Sequence, residues 1–499
     1  MKIENFHERS TLNIEHPTSN KEPPKADIFC KASARQAPLT EGKIYCRLVF
    51  KKVQANVKLQ NLIQYYSTLS NPSILGGAEL DSQRNRYSYF AAEPVEIFEF
   101  FSNEEKPFDK LKKVLSKYCL EKGLDGVFTG GWIGFFSYDL GRFIEDVPCE
   151  ADDIGLPLIR LCFYDKVICF DHLENCFHLF AIEFSDDGDK KINQLEDILN
   201  KAGNIEKFKQ ISRLRCAPLE MTKETFKSNM TKDYYLEAIA KTKRYIYDGD
   251  VYQINFSQRF SADFNSEPYK LFLWQNKFNP SPYSAYIDAG DFQIVSASPE
   301  LFININNSTI TTCPIKGTRP RTLNETIDEK NYAELIGNEK EKAELDMIID
   351  LERNDLGRIC RPGTIRVCER RGIEAFATVY HAVSTIQGRL KEEIDFVDCL
   401  KAIFPGGSIS GAPKISALKI INALEPTARG LYTGSIGWID LKGNACLNIA
   451  IRTIIIKDRL AFAQTGGGIV ADSVAQSEWN ETLIKAKALL AGIKAVNLR

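Results

Sequence analysis

The chain has 499 residues, with 64 Lys and Arg against 66 Asp and Glu, 44% hydrophobic and 26% charged residues, the make-up of a globular protein rather than a fibrous or disordered one. A net charge of −2 offers no basic field for a polyanion, which argues against nucleic acid as a partner. No apolar run approaches the roughly 20 residues that cross a bilayer, and the opening MKIENFHERSTLNIEHPTSNKEPPK lacks a signal-peptide core, so no membrane contact and a cytoplasmic location are expected.

In chain order, residues 1–40 are polar, contain proline and lack periodicity, which predicts a mobile tail. From residue 41 to about 220 the pattern is β-rich (IYCRLVFKKV, RYSYF, VEIFEFF, GGWIGFFSYDL), with a helix expected around Phe108 to Leu120 and a helical connector at the charged stretch DDGDKKINQLEDILNKAG. VICFDHLENCFHLF reads as a hairpin carrying Cys169, His172, Cys176 and His178. It lacks the tight knuckle of structural zinc sites, so no metal is assigned to it. The thirteen cysteines include no CxxC pair and read mainly as small buried hydrophobes in a reducing compartment.

Residues 221–499 form a second, larger portion, with a helical repeat at DYYLEAIAKTKRYIYDGD and strand-like runs at VYQINFSQRF, FQIVSAS, LFINI, STITTCPI, TGSIGWIDL, ACLNIAIRTIII and RLAFAQTGGGIV. Helices are expected near residues 329–352, 395–402, 412–423 and 475–495. Strands outnumber crossover helices, which predicts an α+β fold of large antiparallel sheets with outer helices.

Two helices carry chemically informative spacing. Glu341 and Glu344 share one helical face beside the apolar Leu345, Ile348 and Ile349, and Glu478, Glu481 and Lys485 share another. Two such acid pairs can clamp a hard divalent cation such as Mg²⁺, although an isolated ExxE is ordinarily a solvated surface. FPGGSISGAPKIS has P-loop-like glycines, but Ala412 and Pro413 separate Gly411 from Lys414, which breaks the triphosphate motif. It and QTGGGIVADS, with Gly466, Gly467 and Gly468, remain candidate turns whose backbone N–H groups can hold a carboxylate.

Taken together, SASPELF, CPIKGTRPR, ELDMIIDLERNDLGR, HAVSTIQG, FPGGSISGAPK, YTGSIGW, AIRT and QTGGGIVADSVAQSEWNETLIKAK resemble, in type and order, the chorismate-utilising enzymes over residues 225–495. ELDSQRNRYSYF and GGWIGFFSYDLGRFIE resemble the amino-terminal portion of the aminating members. The resemblance implies a chorismate-binding fold with Glu344 and Glu481 as Mg²⁺ ligands and Glu341 and Glu478 as their close supports. It further implies Arg452, Tyr432, Thr318, Ser410, Lys485 and the backbone of Gly466 to Gly468 as chorismate-binding groups, Glu300 as general acid and His381 beside the substrate ring.

Two positions separate the reactions of that family. Gln253 stands where water-adding members carry a lysine base, and an amide is no base. Lys316, in PIKGTR, stands where members that aminate at C2 have alanine. Its presence implies that the lysine amine attacks C2 of chorismate and directs ammonia to C4, giving 4-amino-4-deoxychorismate for 4-aminobenzoate and folate synthesis. The alternatives are amination at C2, giving anthranilate, and a catalytically silent binding subunit. The chain shows no glutaminase constellation, so the resemblance implies a separate glutamine amidotransferase subunit supplying ammonia. ELDS at 79–82 and NPSPYSAY at 279–286 resemble segments lining a tryptophan pocket in relatives.

Overall fold

The computed structural model describes residues 43–77, 86–148, 152–205, 226–376 and 379–497. The expected tail, the soft boundary near residue 220 and the ELDS segment lie outside the described residues. Among the described residues no helix is long and apolar enough to cross a membrane.

Two large, almost wholly antiparallel sheets form the core, as the excess of strands over crossover helices predicts. Among the described residues one has 13 strands and the other 10. Both draw on distant parts of the chain. In the larger, Ser73–Leu75 pairs with Tyr283–Asp288, with Ile74 opposite Tyr286. In the smaller, Gly131–Phe136 pairs with Ser435–Asp440, with Ile133 opposite Trp438.

The alternation along each strand explains the layering. In Gly131–Phe136, Trp132 and Phe136 join the cluster under Leu345 and Ile349 of helix Glu339–Ile359 and Leu400 of helix Phe396–Ile403. Ile133 and Phe135, on the opposite face, pack between the sheets, Ile133 with Tyr89 and Val167 and Phe135 with Phe292 and Ile294. The outer face of the larger sheet is covered by Leu62, Leu195, Leu271, Trp274, Leu489 and Ile493 from four helices. Each fully buried aliphatic side chain of this kind contributes about 1.5–3 kcal/mol of transfer free energy.

Three local expectations are refined and a fourth is met. The helix expected over Phe108 to Leu120 ends at Leu115, because Tyr118–Leu120 is drawn into a strand parallel to Ile44–Cys46 and the Tyr118 ring stacks on Phe163 at 4.0 Å. The helix expected over 329–352 is two, Glu325–Gly337 and Glu339–Ile359, broken at Asn338, whose side chain caps the second by accepting from Glu341 N–H at 3.0 Å. Gly466 to Gly468 lie inside strand Leu460–Ile469, not in a turn, because strand Gln253–Asp263 pairs with them residue by residue. The hairpin expected at VICFDHLENCFHLF forms as Lys166–Asp171 and Cys176–Glu183.

Candidate active site

Strand Leu460–Ile469 leads directly into helix Ala475–Asn497, which turns back over it. The Cβ that Gly467 lacks would stand 3.3 Å from Glu481 Oε1 and 3.6 Å from Glu478 Oε2, so the bare backbone leaves room for both carboxylates. Glu478 is buried, and burial pushes its carboxyl up, with Glu481 adding to the effect and a Ser473 bond opposing it. Glu481 has the opposite balance. Burial raises it, but Lys485, whose Nζ is 2.6 Å from Glu481 Oε1, draws its carboxyl below the usual value. Lys485 also donates to Gly466 O at 2.9 Å.

The second acid pair comes from helix Glu339–Ile359. Strand Ile315–Pro320 passes so close to it that a Cβ on Gly317, whose φ is +89°, would meet Glu341 Oε2 at 2.7 Å. Arg319 holds the other oxygen, Glu341 Oε1, at 2.9 Å, while Oε2 is buried with no hydrogen-bond partner. Burial pushes the Glu344 carboxyl up; Glu341 and Glu481 add to this, and Lys316 and Lys340 oppose it. Glu344 and Glu481, from helices far apart in sequence, therefore feel one another's charge. An all-carboxylate set with mutual repulsion and an orphaned buried oxygen is chemically suited to a hard divalent cation, and Glu344, Glu481, Glu341 and Glu478 are the residues that could hold one.

Lys316 and Glu300 face this acidic group. Lys316 Nζ donates to Ser408 O at 3.4 Å. Burial pushes its amine below the usual lysine value, against the pull of Glu344 and Glu300. Glu300 is buried and its carboxyl is pushed up by burial, opposed by a Ser408 bond and by Lys316, and Oε1 has no partner. Its backbone is pinned by Ile449 N–H donating to Glu300 O at 3.0 Å and by Glu300 N–H donating to Ser298 Oγ at 3.3 Å. Burial thus disfavours the charged form of both neighbours, the Glu300 carboxylate and the Lys316 ammonium.

Thr318 is opposite His381 in the paired strands, and Thr318 Oγ1 and His381 Nδ1 lie 2.8 Å apart. His381 is buried, with Phe376 edge-on at 5.4 Å. Burial, helped by Arg452, pushes its imidazole down to about 3. Arg452 has φ 49°, and burial lowers its guanidinium, with Glu300 opposing. Tyr432 is half-buried and its phenol is pushed up by burial. Arg429 lies 5.7 Å from its ring centre and makes a two-pronged pair with Glu425 at 2.8 and 2.7 Å. Electrostatic coupling therefore joins Lys316, Glu300, Arg452, His381, Lys485 and both acid pairs in one site.

Ser410 is placed differently. Its hydroxyl donates to Gly406 O at 2.9 Å, within its own loop. The serine that meets both Lys316 and Glu300 is Ser408, which sequence reasoning missed; two hydroxyls in one glycine-rich loop were the available signal. Asn255 Nδ2 also donates to Ser408 O, at 2.8 Å. Gln253 is fully buried with neither amide atom paired, and a Cβ on Gly468 would stand 2.2 Å from its Nε2. Lys414 is no anion ligand, because it pairs with Asp355 at 2.5 Å. Of the tryptophan-like segments, the described one contributes strand Tyr283–Asp288.

Two acid pairs, a lysine and a buried glutamate are thus gathered where two antiparallel sheets meet outer helices. Residues 78–491 match the sequence model of the chorismate binding enzymes, and the chain belongs to that family. It is similar to aminodeoxychorismate synthase component 1 of Bacillus subtilis (42% identity, over 72% of this chain and 76% of the relative). It is also similar to anthranilate synthase component 1 of Acetivibrio thermocellus (35%, over 82% and 87%). Among solved structures, anthranilate synthase component I of Streptococcus pneumoniae superposes with a TM-score of 0.72 at 34% identity, covering 82% of this chain and 93% of that one. The menaquinone-specific isochorismate synthase of Escherichia coli, at 16% identity and a TM-score of 0.67 over 91% of this chain and 95% of that one, shares the fold.

Proposed function

We propose that the chain aminates chorismate at C4, producing 4-amino-4-deoxychorismate, the activity named for its 42%-identical relative. The observation that carries this reading is Lys316, a half-buried lysine whose Nζ donates to Ser408 O and whose amine is held below its usual value beside the raised carboxyl of Glu300. Desolvation leaves the amine free to act as a nucleophile.

Chorismate binds with its carboxylates toward Arg452, Tyr432, Thr318, Lys485 and the Gly466 to Gly468 backbone; the Ser410 hydroxyl, turned into its own loop, contributes through that loop. Lys316 Nζ forms a bond to C2 as the ring double bonds shift and the C4–O bond breaks. The departing hydroxyl takes the Glu300 proton and leaves as water, and Nζ gives up one proton. Ammonia then forms a bond to C4, the double bonds shift back, and the C2–N bond breaks to release Lys316. His381, neutral and fixed by Thr318, closes one side of the ring pocket. Mg²⁺ held by Glu344 and Glu481, with Glu341 and Glu478 behind them, supplies positive charge for the ring carboxylate. Gln253 has no basicity to activate water, which disfavours hydration.

Ammonia comes from a separate glutamine amidotransferase subunit, and the site of action is the cytoplasm. The segment that contains strand Tyr283–Asp288 resembles one that lines a tryptophan pocket in relatives. The competing reading, amination at C2 to anthranilate, has support in the 34%-identical anthranilate synthase structure but leaves the lysine without a role. Incubating the purified chain with chorismate, Mg²⁺ and an ammonium salt tests the choice: 4-amino-4-deoxychorismate is expected, and anthranilate as the main product overturns the proposal.

A further inference from the structure

The hairpin Lys166–Asp171 and Cys176–Glu183 lies outside the active site and carries a second constellation. Asp171 Oδ1 accepts from Leu173 N–H at 2.9 Å and Glu174 N–H at 3.2 Å, a side-chain turn that folds Glu174 back over the start of the returning strand. Cys176 and His178, two residues apart, project from the same face of that strand. Cys176 Sγ is 3.5 Å from His178 Nε2 and 3.9 Å from Glu174 Oε2, and the ligand atoms of all three lie within 4.8 Å of one another.

These separations match a specific geometry. With Zn–S near 2.3 Å and Zn–N or Zn–O near 2.0–2.2 Å, a tetrahedral angle places sulfur about 3.6 Å from nitrogen or oxygen. Of the other two candidates of the hairpin, Cys169 stands opposite His178 in the register but is wholly buried, and His172 Nε2 is 2.7 Å from Ser88 Oγ.

We propose that Glu174, Cys176 and His178 form a binding site for a thiophilic divalent cation of the zinc class, with water as the fourth ligand. Mixed thiolate, imidazole and carboxylate donors select such an ion over Mg²⁺. Burial lowers the His178 imidazole, which favours the neutral ring that ligates a metal. Burial raises the Cys176 thiol, so binding forms the S–metal bond as the thiol proton passes to solvent. Lys52, opposite His178 on the neighbouring strand, pairs with Glu174 Oε2, and Arg86 lies 3.5 Å from Glu174 Oε1. The metal displaces the Lys52 ammonium, so Lys52 weakens the site without abolishing it.

The test uses the full chain, freed of metal by chelation and then held in excess Mg²⁺ to saturate the carboxylate site, with Co²⁺ as the probe. One equivalent of Co²⁺ is expected to give intense thiolate-to-cobalt absorption, which Zn²⁺ bleaches. Cys176→Ser abolishes that absorption, His178→Gln weakens binding at least about tenfold, and Lys52→Met tightens it. Ammonia-dependent turnover, unchanged in all three variants, reports an intact fold. Absence of the absorption at stoichiometric Co²⁺, or its persistence in Cys176→Ser, overturns the proposal.

Discussion

Thr318 Oγ1 and His381 Nδ1 meet at 2.8 Å across two paired strands, which fixes the imidazole of a fully buried histidine. The ring stays neutral in the folded chain because burial holds it at about 3, whereas the unfolded ring titrates near 6.5. Between those values the unfolded state binds the extra proton. The contribution to stability is therefore complete above pH 6.5 and is lost as pH falls toward 3. Urea unfolding at pH 7 and pH 5 should show the wild-type chain losing more stability on acidification than His381→Asn.

The acid pairs predict metal dependence. Glu481→Gln replaces an anion with an amide and keeps the shape, so the thermal midpoint should hardly move. Turnover at fixed Mg²⁺ should fall by more than about 10–100-fold, the range for losing a mere outer-shell partner of a metal ligand. Steady-state assays across a Mg²⁺ titration check this, and an unchanged Mg²⁺ requirement removes Glu481 from the site.

Neighbouring glycines should respond differently to alanine. At Gly467 the new methyl lies 3.3 Å from the end of the Glu481 side chain, so the protein should fold and need more Mg²⁺. At Gly468 it lies 2.2 Å from Gln253 Nε2, inside a fully buried side chain, so the loss should be in stability, about 1–3 kcal/mol. Denaturant melts paired with Mg²⁺ titrations separate the two effects.

Lys316 should be trapped when the second nucleophile is withheld. Intact mass after incubation with chorismate and Mg²⁺ but no ammonia should reveal one substrate-derived adduct, mapped to the CPIKGTRPR peptide and absent in Lys316→Ala. With ammonia, that variant should shift toward anthranilate.

The Glu425–Arg429 pair is wholly enclosed, and Ser257 also donates to Glu425 through N–H and hydroxyl at 2.9 and 2.7 Å. Glu425→Gln leaves a buried guanidinium uncompensated and should cost about 3–5 kcal/mol in urea unfolding, far more than a surface pair.

The spacing of Glu341 with Glu344 and of Glu478 with Glu481 is local, so their sharing of a helical face could be read before any fold was known. That the two faces confront one another is a product of sheet topology, to which periodicity is blind; family resemblance supplied it. The glycines of QTGGG look like a turn because glycine usually marks one, yet a partner strand some two hundred residues away holds them extended. Tyr118–Leu120 likewise became a strand through a long-range aromatic stack. The role of Ser408 depends on a carbonyl and on where its loop comes to rest, neither of which composition encodes.

Arg452 occupies a left-handed backbone conformation at φ 49°, where an L side chain costs about 1 kcal/mol or more and glycine costs little. Its guanidinium is the group assigned to a substrate carboxylate, so conformational comfort and function pull the same codon in opposite directions. A library randomised at this codon and selected for thermal survival alone should enrich glycine and asparagine. The same library selected for growth without supplied 4-aminobenzoate should return arginine, and the gap between the two outcomes measures how much stability the protein forgoes to keep that side chain.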